Sequence, residues 1–451
     1  MTQEDMGTLR MSRLLPRMAF PMIVAQLVNG LYSIVDRIYL GHIPGKGPEV
    51  LTGVGVTYPI ILLITSFSLL IGNGGGPLAS MRLGQKRKDA ADEILSNSAS
   101  ALLFLSLVLM VFFFSLKRPL LYLFGASGIT IKSADEYISV YLLGTPFVLL
   151  TLGLNPFLTA QGQTGKAMLT VVLGAMLNIV LDPVLIFLLG LGARGAAAAT
   201  VFSQMVSSLY VLALVSSPRS GITLTPSLMK PEKDVLLPVL ALGMSPFIMG
   251  ATEAAISFVF NSRLQALGGD LAVGTMTIFS SVKSFAGMPV QGFNQALVPV
   301  TGYNFGAGIK KRVEEAFRFA ALSELCYTLG VSVLCISFPR LIVSLFTTDA
   351  DLTLFAVPCL KFFIAGYSIF GLQCAAQNAF LGLGQAKISM FFAIFRKVLL
   401  LIPLVYLLSS TSLGIIGVFL AESVADSLSA VVTFATFCLV FRGILDKGAP
   451  R

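Results

Sequence analysis

The sequence contains one histidine, no tryptophan and few charges. Charged residues make up 12% of its 451 positions, about half the share usual in soluble proteins. Hydrophobic residues make up 55%, and the mean hydropathy is +0.86. So few charges cannot cover that much apolar surface in water. The expected solvent over most of the chain is lipid, where backbone polar groups must be satisfied within the fold. The lone His42 excludes histidine-rich metal sites, and no metal site is expected. H-E-x-x-H and G-x-S-x-G are absent, so the chain is not expected to be an enzyme. GQTGKA (162–167) and GHIPGKG (41–47) have the wrong spacing for a phosphate-binding loop, which leaves ATP hydrolysis unsupported. Cys326, Cys335, Cys359, Cys374 and Cys438 lie in or beside apolar runs without C-x-x-C, and read as inert buried thiols. Without tryptophan, interfacial anchoring falls to the 11 tyrosines and other residues. The net charge of +9 would suit a nucleic-acid binder. In a membrane chain it reports Lys/Arg-rich cytoplasmic loops, and no nucleic-acid partner is expected.

A membrane-crossing helix needs about 20 apolar residues. The apolar runs predict twelve, at 14–40, 51–82, 91–116, 133–161, 166–190, 194–217, 232–265, 271–301, 312–338, 353–381, 385–409 and 413–441. The first is long enough to stay as a span, so no cleavable signal is needed. With the N-terminus inside, one set of loops holds Arg10, Arg13, Arg17, Arg82, Lys86, Arg87, Lys88, Lys166, Arg219, Lys230, Lys233, Lys310, Lys311, Arg312, Lys387, Arg442, Lys447 and Arg451. The other set holds less than half as many. This bias places both termini in the cytoplasm.

The chain repeats itself. A polar, proline-bearing stretch at 218–234 divides an N-terminal six-helix lobe (10–217) from a C-terminal one (235–442), followed by a tail at 443–451. Shifted by 225, Pro21 meets Pro246 and Asp36 meets Asn261. Beyond a shortened outer loop the shift becomes 222. There Gly84 meets Gly306, Gly144 meets Gly366, Gly162 meets Gly384, Gly192 meets Gly414 and Gly195 meets Gly417. Six is even, so both copies enter from the same side. Such parallel repeats bind substrate between the halves near midplane, which makes secondary transport the leading class.

An ionisable group within a span is costly and is a functional candidate by default. Span 1 carries Gln26, Asn29, Tyr32 and Asp36 at helical spacing, and the first three are candidates for a substrate cavity. Span 4 carries Asn155, span 5 Asn178 and Asp182 ahead of Pro183, and span 6 Thr200. Asp36 and Asp182 approach the same depth, and their repeat partners, Asn261 and Leu404, are not acidic. Two carboxylates in one dry cavity resist joint ionisation, so the pair can load and release a proton or a sodium ion. The bland alternative pairs Asp36 with Arg37 or makes it a helix cap. In the second half, Glu253 and Asn261 share a face of span 7, and Gln373 and Gln377 lie on span 10. Glu253 is a candidate for an ion or a cationic substrate, against a structural pair with Lys283. Glu422 and Asp426 on span 12 face a similar choice, with Arg396 or Lys397 as partners. Arg318 and Glu324 on span 9 are expected to snorkel or pair. The 16 methionines and 34 phenylalanines suit a cavity for varied apolar cations.

Six stretches in order carry a resemblance over about residues 10–442. They are VDRIYLGH (35–42), GLNPFLTAQGQ (153–163), LNIVLDPVLIF (177–187), GAAAATVFSQ (195–204), PVQGFNQALVPVTGYNFGAG (289–308) and NAFLGLGQAKISM (378–390). The chain resembles the MATE family, the multidrug and toxic compound extrusion transporters. The resemblance implies an all-α fold of twelve transmembrane helices in two six-helix lobes forming a V, with alternating access. It implies export of cationic, amphipathic small molecules across the plasma membrane, driven by an inward proton or sodium gradient, with no other cofactor and a single chain sufficing. On that resemblance Asp36 and Asp182 form the coupling site, Asn155, Asn178 and Thr200 supply its hydrogen bonds, and Glu253 matches an acidic position of another branch. An acid carried by some members on span 10 is replaced by Gln373 and Gln377. The rival expectations are a lipid-linked oligosaccharide flippase of the same superfamily, which calls for an Arg/Lys-lined cavity, and a non-transporting receptor or scaffold.

Overall fold

The computed structural model of the chain describes residues 4–217, 220–347 and 349–449. Arg219 of the linker and Arg451 of the tail, both counted above as cytoplasmic charges, lie outside them. Among the described residues the regular elements are all helical, as a chain in lipid requires. In the first lobe they are α1 (Met11–Gly41), α2 (Gly47–Gly84), α3 (Lys88–Leu123), α4 (Ile131–Leu143 and Thr145–Ala160), α5 (Thr164–Pro183, continued by Val184–Leu188) and α6 (Ala193–Val215). The second lobe begins with one continuous run, Lys233–Gly306, which would be far too long for a bilayer as a single helix. Gly269, at φ 60° and ψ −154°, turns the chain inside it. The part before Gly269 is α7 and the part after it α8. Then come α9 (Lys310–Ser337), α10 (Ala350–Ile364 and Tyr367–Gly382), α11 (Ala386–Ile394, Phe395–Leu401 and Ile402–Ser409) and α12 (Gly414–Lys447).

The repeat is visible in the backbone. Gly162 and Gly384 have φ of 76° and 70°, and Gly192 and Gly414 have 54° and 50°. These left-handed values suit glycine, which explains why it recurs at a fixed shift. The bends recur too. α4 turns by 58° at Gly144 and α10 by 42° beside Gly366. A Cβ on Gly144 would strike Val201, and one on Gly366 would strike Ser423, the residue that matches Val201 at the same shift. The second copy adds a device. Ser423 Oγ donates to the carbonyls of Phe362 (2.6 Å) and Phe363 (2.9 Å) and accepts from the Gly366 N–H (2.9 Å). A bent helix in a membrane needs such partners for its freed groups.

The linker is fastened to α3. The Thr223 N–H donates to Asp92 (2.7 Å), the Thr225 N–H to Ser96 (3.0 Å) and the Glu232 N–H to Asn97 (2.7 Å). Three clusters of buried apolar side chains form the bulk of the core, one mainly in each lobe and one where the N-terminal part of α1 packs on α8, α9, α10 and α12.

The lobes meet at the face where the chain begins. Ser80 Oγ donates to the Pro299 carbonyl at 2.7 Å. Asn304 donates to the Met6 carbonyl, and Arg312 to those of Met6 and Leu9. Gly84 lies against Tyr303, and Gly306 against Met81, a repeat-related pair of backbone contacts that leaves no room for a Cβ. The contact continues inward through Ser66 against Gly250, and Phe67 against Phe247 at 4.9 Å. On α1 it reaches Gly30 against Met288. Beyond that level, toward the opposite face, lie Asp36 on α1 and Glu253 on α7.

Candidate functional site

Pro183 shapes the first part of the site. It has no N–H to continue the helix ladder, and the chain goes on as a π turn, with the Leu189 N–H on the Val184 carbonyl at 2.9 Å. Single π turns are frequent at functional positions. This one follows directly on Asp182. Its Phe187 ring packs edge-on against Tyr39 of α1 at 6.2 Å, one turn beyond Asp36.

Asp36 on α1 and Asp182 on α5 are neighbours. Asp182 and Asn178 are buried, and Thr200 nearly so. Asn178 Nδ2 stands 3.3 Å from both Asp182 Oδ1 and Thr200 Oγ1. Three oxygens here, Asp36 Oδ1, Asp182 Oδ2 and Asn178 Oδ1, find no donor among the described residues. Arg37 turns away over the Tyr58 ring at 5.9 Å. Among the described residues no cation forms an ion pair with either aspartate. Buried oxygens without donors form a site for a proton or a small hard cation.

The other first-lobe candidates divide. Asn155 is not among the groups around the aspartates. Its amide donates to the Ala167 carbonyl (3.1 Å) and to Thr170 Oγ1 (2.5 Å), tying α4 to α5. Both hydrogens of that amide are engaged within the helix packing, so in this structure neither reaches the acid pair. Gln26 and Tyr32 are half-buried and Asn29 is exposed on α1. Tyr137 of α5's neighbour α4 is buried beside Thr200, and nothing in the sequence pattern singled it out.

In the second lobe Glu422 and Asp426 face Arg396, one of the partners the sequence offered, whereas the Glu253–Lys283 pair is not formed. Lys283 does not reach Glu253. It holds Glu422 and, at 2.6 Å, Asp426. Arg396 takes Asp426 with two nitrogens, at 2.9 and 2.6 Å, and reaches Glu422 at 3.4 Å. Glu253 is paired with Lys397. Arg396 and Lys397 are adjacent in a π-helical stretch, Phe395–Leu401, just before Pro403. More residues per turn bring neighbouring side chains closer in direction, which lets both face α7 and α12. Three cations thus face three carboxylates. The Arg396 guanidinium also lies over the Phe370 ring at 4.5 Å.

Asn261 and Glu253 are exposed on one face of α7. Gln373 and Gln377 are buried. Gln377 donates toward Ser245 Oγ at 3.3 Å, and Ser245 is 2.9 Å from Ser389 Oγ, so it braces α7, α10 and α11. Gln373 Oε1 finds no donor among the described residues. Arg318 is exposed, whereas Glu324 is buried and makes no ion pair among the described residues. It accepts from Asn294 Nδ2 at 3.2 Å. That donor comes from α8 and was invisible in a pattern of isolated charges, and Glu324 Oε1 finds no donor among the described residues. Among the described residues no group of three or more His, Cys, Asp or Glu side chains is placed to hold a metal ion.

The profile of the family described as MatE matches residues 21–184 and 247–407, one block in each lobe. A curated relative, the multidrug export protein MepA of Staphylococcus haemolyticus, is 25% identical over 433 residues, covering 96% of this chain and 94% of its own. A crystal structure of MATE in the bent conformation superposes with a TM-score of 0.92 at 25% identity, covering 99% of this chain and 98% of its own. One of MATE in the straight conformation gives 0.91 at 25% identity, covering 98% of each.

Proposed function

The chain belongs to the MatE family of membrane transporters, and on that premise we propose that it is a multidrug exporter. In this reading it expels cationic, amphipathic small molecules by antiport against an inward proton or sodium gradient. It sits in the plasma membrane with both termini in the cytoplasm and works as a single chain. One observation carries the proposal. Asp36 and Asp182 adjoin on α1 and α5 with unfilled oxygens, and among the described residues neither is held in an ion pair. A proton or sodium ion supplies what that site lacks. Its arrival cancels repulsion between the carboxyls and lets α1 repack against the π turn after Pro183. The cavity-facing surface of the first lobe then holds a substrate cation less strongly.

An oligosaccharide flippase calls for cationic side chains left over to bind a pyrophosphate. Lys283, Arg396 and Lys397 are present, but each is matched by a carboxylate. The balance of charge supports the exporter. The test is efflux of a fluorescent organic cation from proteoliposomes under imposed pH or sodium gradients. Asp36→Asn should insert normally and lose gradient-driven efflux at least about tenfold, the loss expected when one essential ion ligand goes. Normal efflux from that variant would sink the proposal. The gradient that drives the wild type identifies the ion.

A further inference from the structure

Of the six charged groups in this second-lobe cluster, one stands apart. The Glu253 side chain is 55% exposed, whereas its partner Lys397 is 9% exposed and Asp426 only 1%. Glu253 lies one helical turn beyond Gly250, which touches Ser66 and Leu69 of the other lobe. Its carboxylate therefore borders the cleft between the lobes on the side where they part. The half-buried pair Phe67 and Phe247, at 4.9 Å, lies at the floor of that cleft.

The remaining ion pairs are committed. Arg396 and Lys283 bind Asp426 and Glu422 from two sides, closed from solvent. Lys397 alone has a second acceptor outside the acids, the Met249 carbonyl at 3.3 Å. Separating Lys397 from Glu253 leaves the ammonium with that carbonyl and leaves the carboxylate facing the cleft. The other pairs share partners: Arg396 and Lys283 each bind both Glu422 and Asp426, so withdrawing either cation leaves two closed-off carboxylates on the one that remains, which is costly.

We infer that Lys397 is a tethered occupant of a cation site at Glu253: its ammonium fills the site in the empty transporter, and an aromatic organic monocation enters by displacing it. The incoming cation places its charge on Glu253 and its ring on Phe67 and Phe247. Lys397 stays behind on the Met249 carbonyl, and its positive charge opposes the entering one. It thereby sets how strongly a cation must bind before it is admitted. This inference deepens the exporter reading by naming the residue that holds the substrate site closed.

The experiment is equilibrium binding of ethidium to the purified full-length protein, read by fluorescence anisotropy. Lys397→Met removes the resident cation and should tighten Kd about tenfold, one such step being 1.4 kcal/mol. Lys397→Arg keeps the charge and grips a carboxylate with two nitrogens, so it should weaken binding a few-fold. Glu253→Gln should abolish the gain, so that the Lys397→Met/Glu253→Gln double variant binds no more tightly than Glu253→Gln alone. An unchanged Kd in Lys397→Met, or a gain that survives in the double variant, overturns the inference. If the methionine variant does not purify as a folded protein, the arginine variant decides, and a Kd equal to or tighter than wild type overturns it. Absence of ethidium binding in every form counts against the exporter reading itself. Binding by the wild type with no response at Lys397 counts only against the tether.

Discussion

Ionisable residues in this protein fall into two kinds, and their partners decide which. Asp36 and Asp182 face each other and amide groups, so the site is left short of positive charge. Asp426 is surrounded by Arg396 and Lys283, so its charge is spent on structure. All three are acids within apolar runs, and composition ranks them alike. The repeat leaves each of them without an acidic counterpart, Asp426 falling opposite Gln204, and that much was available from the sequence. The pairing of Lys283 was not, because α8 and α12 are far apart in the chain and only packing joins them. Arg396→Ala leaves Asp426 and Glu422 sharing one ammonium inside the lobe. The expected cost is about 3–5 kcal/mol, the range for breaking a buried pair. It should appear as a lower midpoint of thermal unfolding in detergent. An unchanged midpoint would mean that water reaches these acids and that the cluster is not closed.

The helices are defined as much by their interruptions as by their apolar runs. Pro183 and Pro403 adjoin π turns, and the two π turns carry or flank Asp182, Arg396 and Lys397. Proline was readable in the sequence as a break only in the sense that it removes a donor; whether the helix kinks, stops or widens depends on which neighbours accept the freed groups. The bends of α4 and α10 illustrate the point. Their glycines recur at a fixed shift, yet only α10 has a serine, Ser423, feeding its broken ladder. Ser423→Val, which gives the second lobe the residue found at the matching position of the first, removes those hydrogen bonds and adds one methyl-sized group. It should destabilise the protein by about 1–3 kcal/mol for each group left unpaired. Thermal unfolding of the purified variant checks this, and a stability equal to wild type would show that α10 rearranges to satisfy its own carbonyls.

At the scale of the whole molecule, two similar lobes touch over one half of their height. The contact is close because glycines line it: Gly84 and Gly306 let the backbones of α2 and α8 approach across the repeat axis, and Gly74 and Gly243 do the same between α2 and α7. A side chain at these positions holds the lobes apart at the face where the chain begins. Gly306→Leu should therefore shift the molecule away from this state. Spin labels at the ends of α2 and α8 on that face should report a longer distance, and transport should fall with it. An unchanged distance distribution would show that the contact is not what closes this face. The open half, on the opposite side, is where Asp36 and Glu253 lie.

The sequence by itself determined the solvent, the number of spans and the internal repeat, because each is written in local composition or in a fixed spacing. It also singled out Asp36 and Asp182, since an acid in an apolar run has no local excuse. The tertiary structure decided which charges remain available. Lys283, Arg396 and Lys397 come from helices distant in the chain, and their neutralisation of Glu422, Asp426 and Glu253 follows from how α7, α8, α11 and α12 pack. The assignment of Asn155 to helix packing, and the half of the molecule at which the lobes close, were settled in the same way. Hydrophobic periodicity specifies which elements exist and how deep they lie. Partner choice among buried charges depends on distances of a few ångströms, and only the packed molecule fixes those.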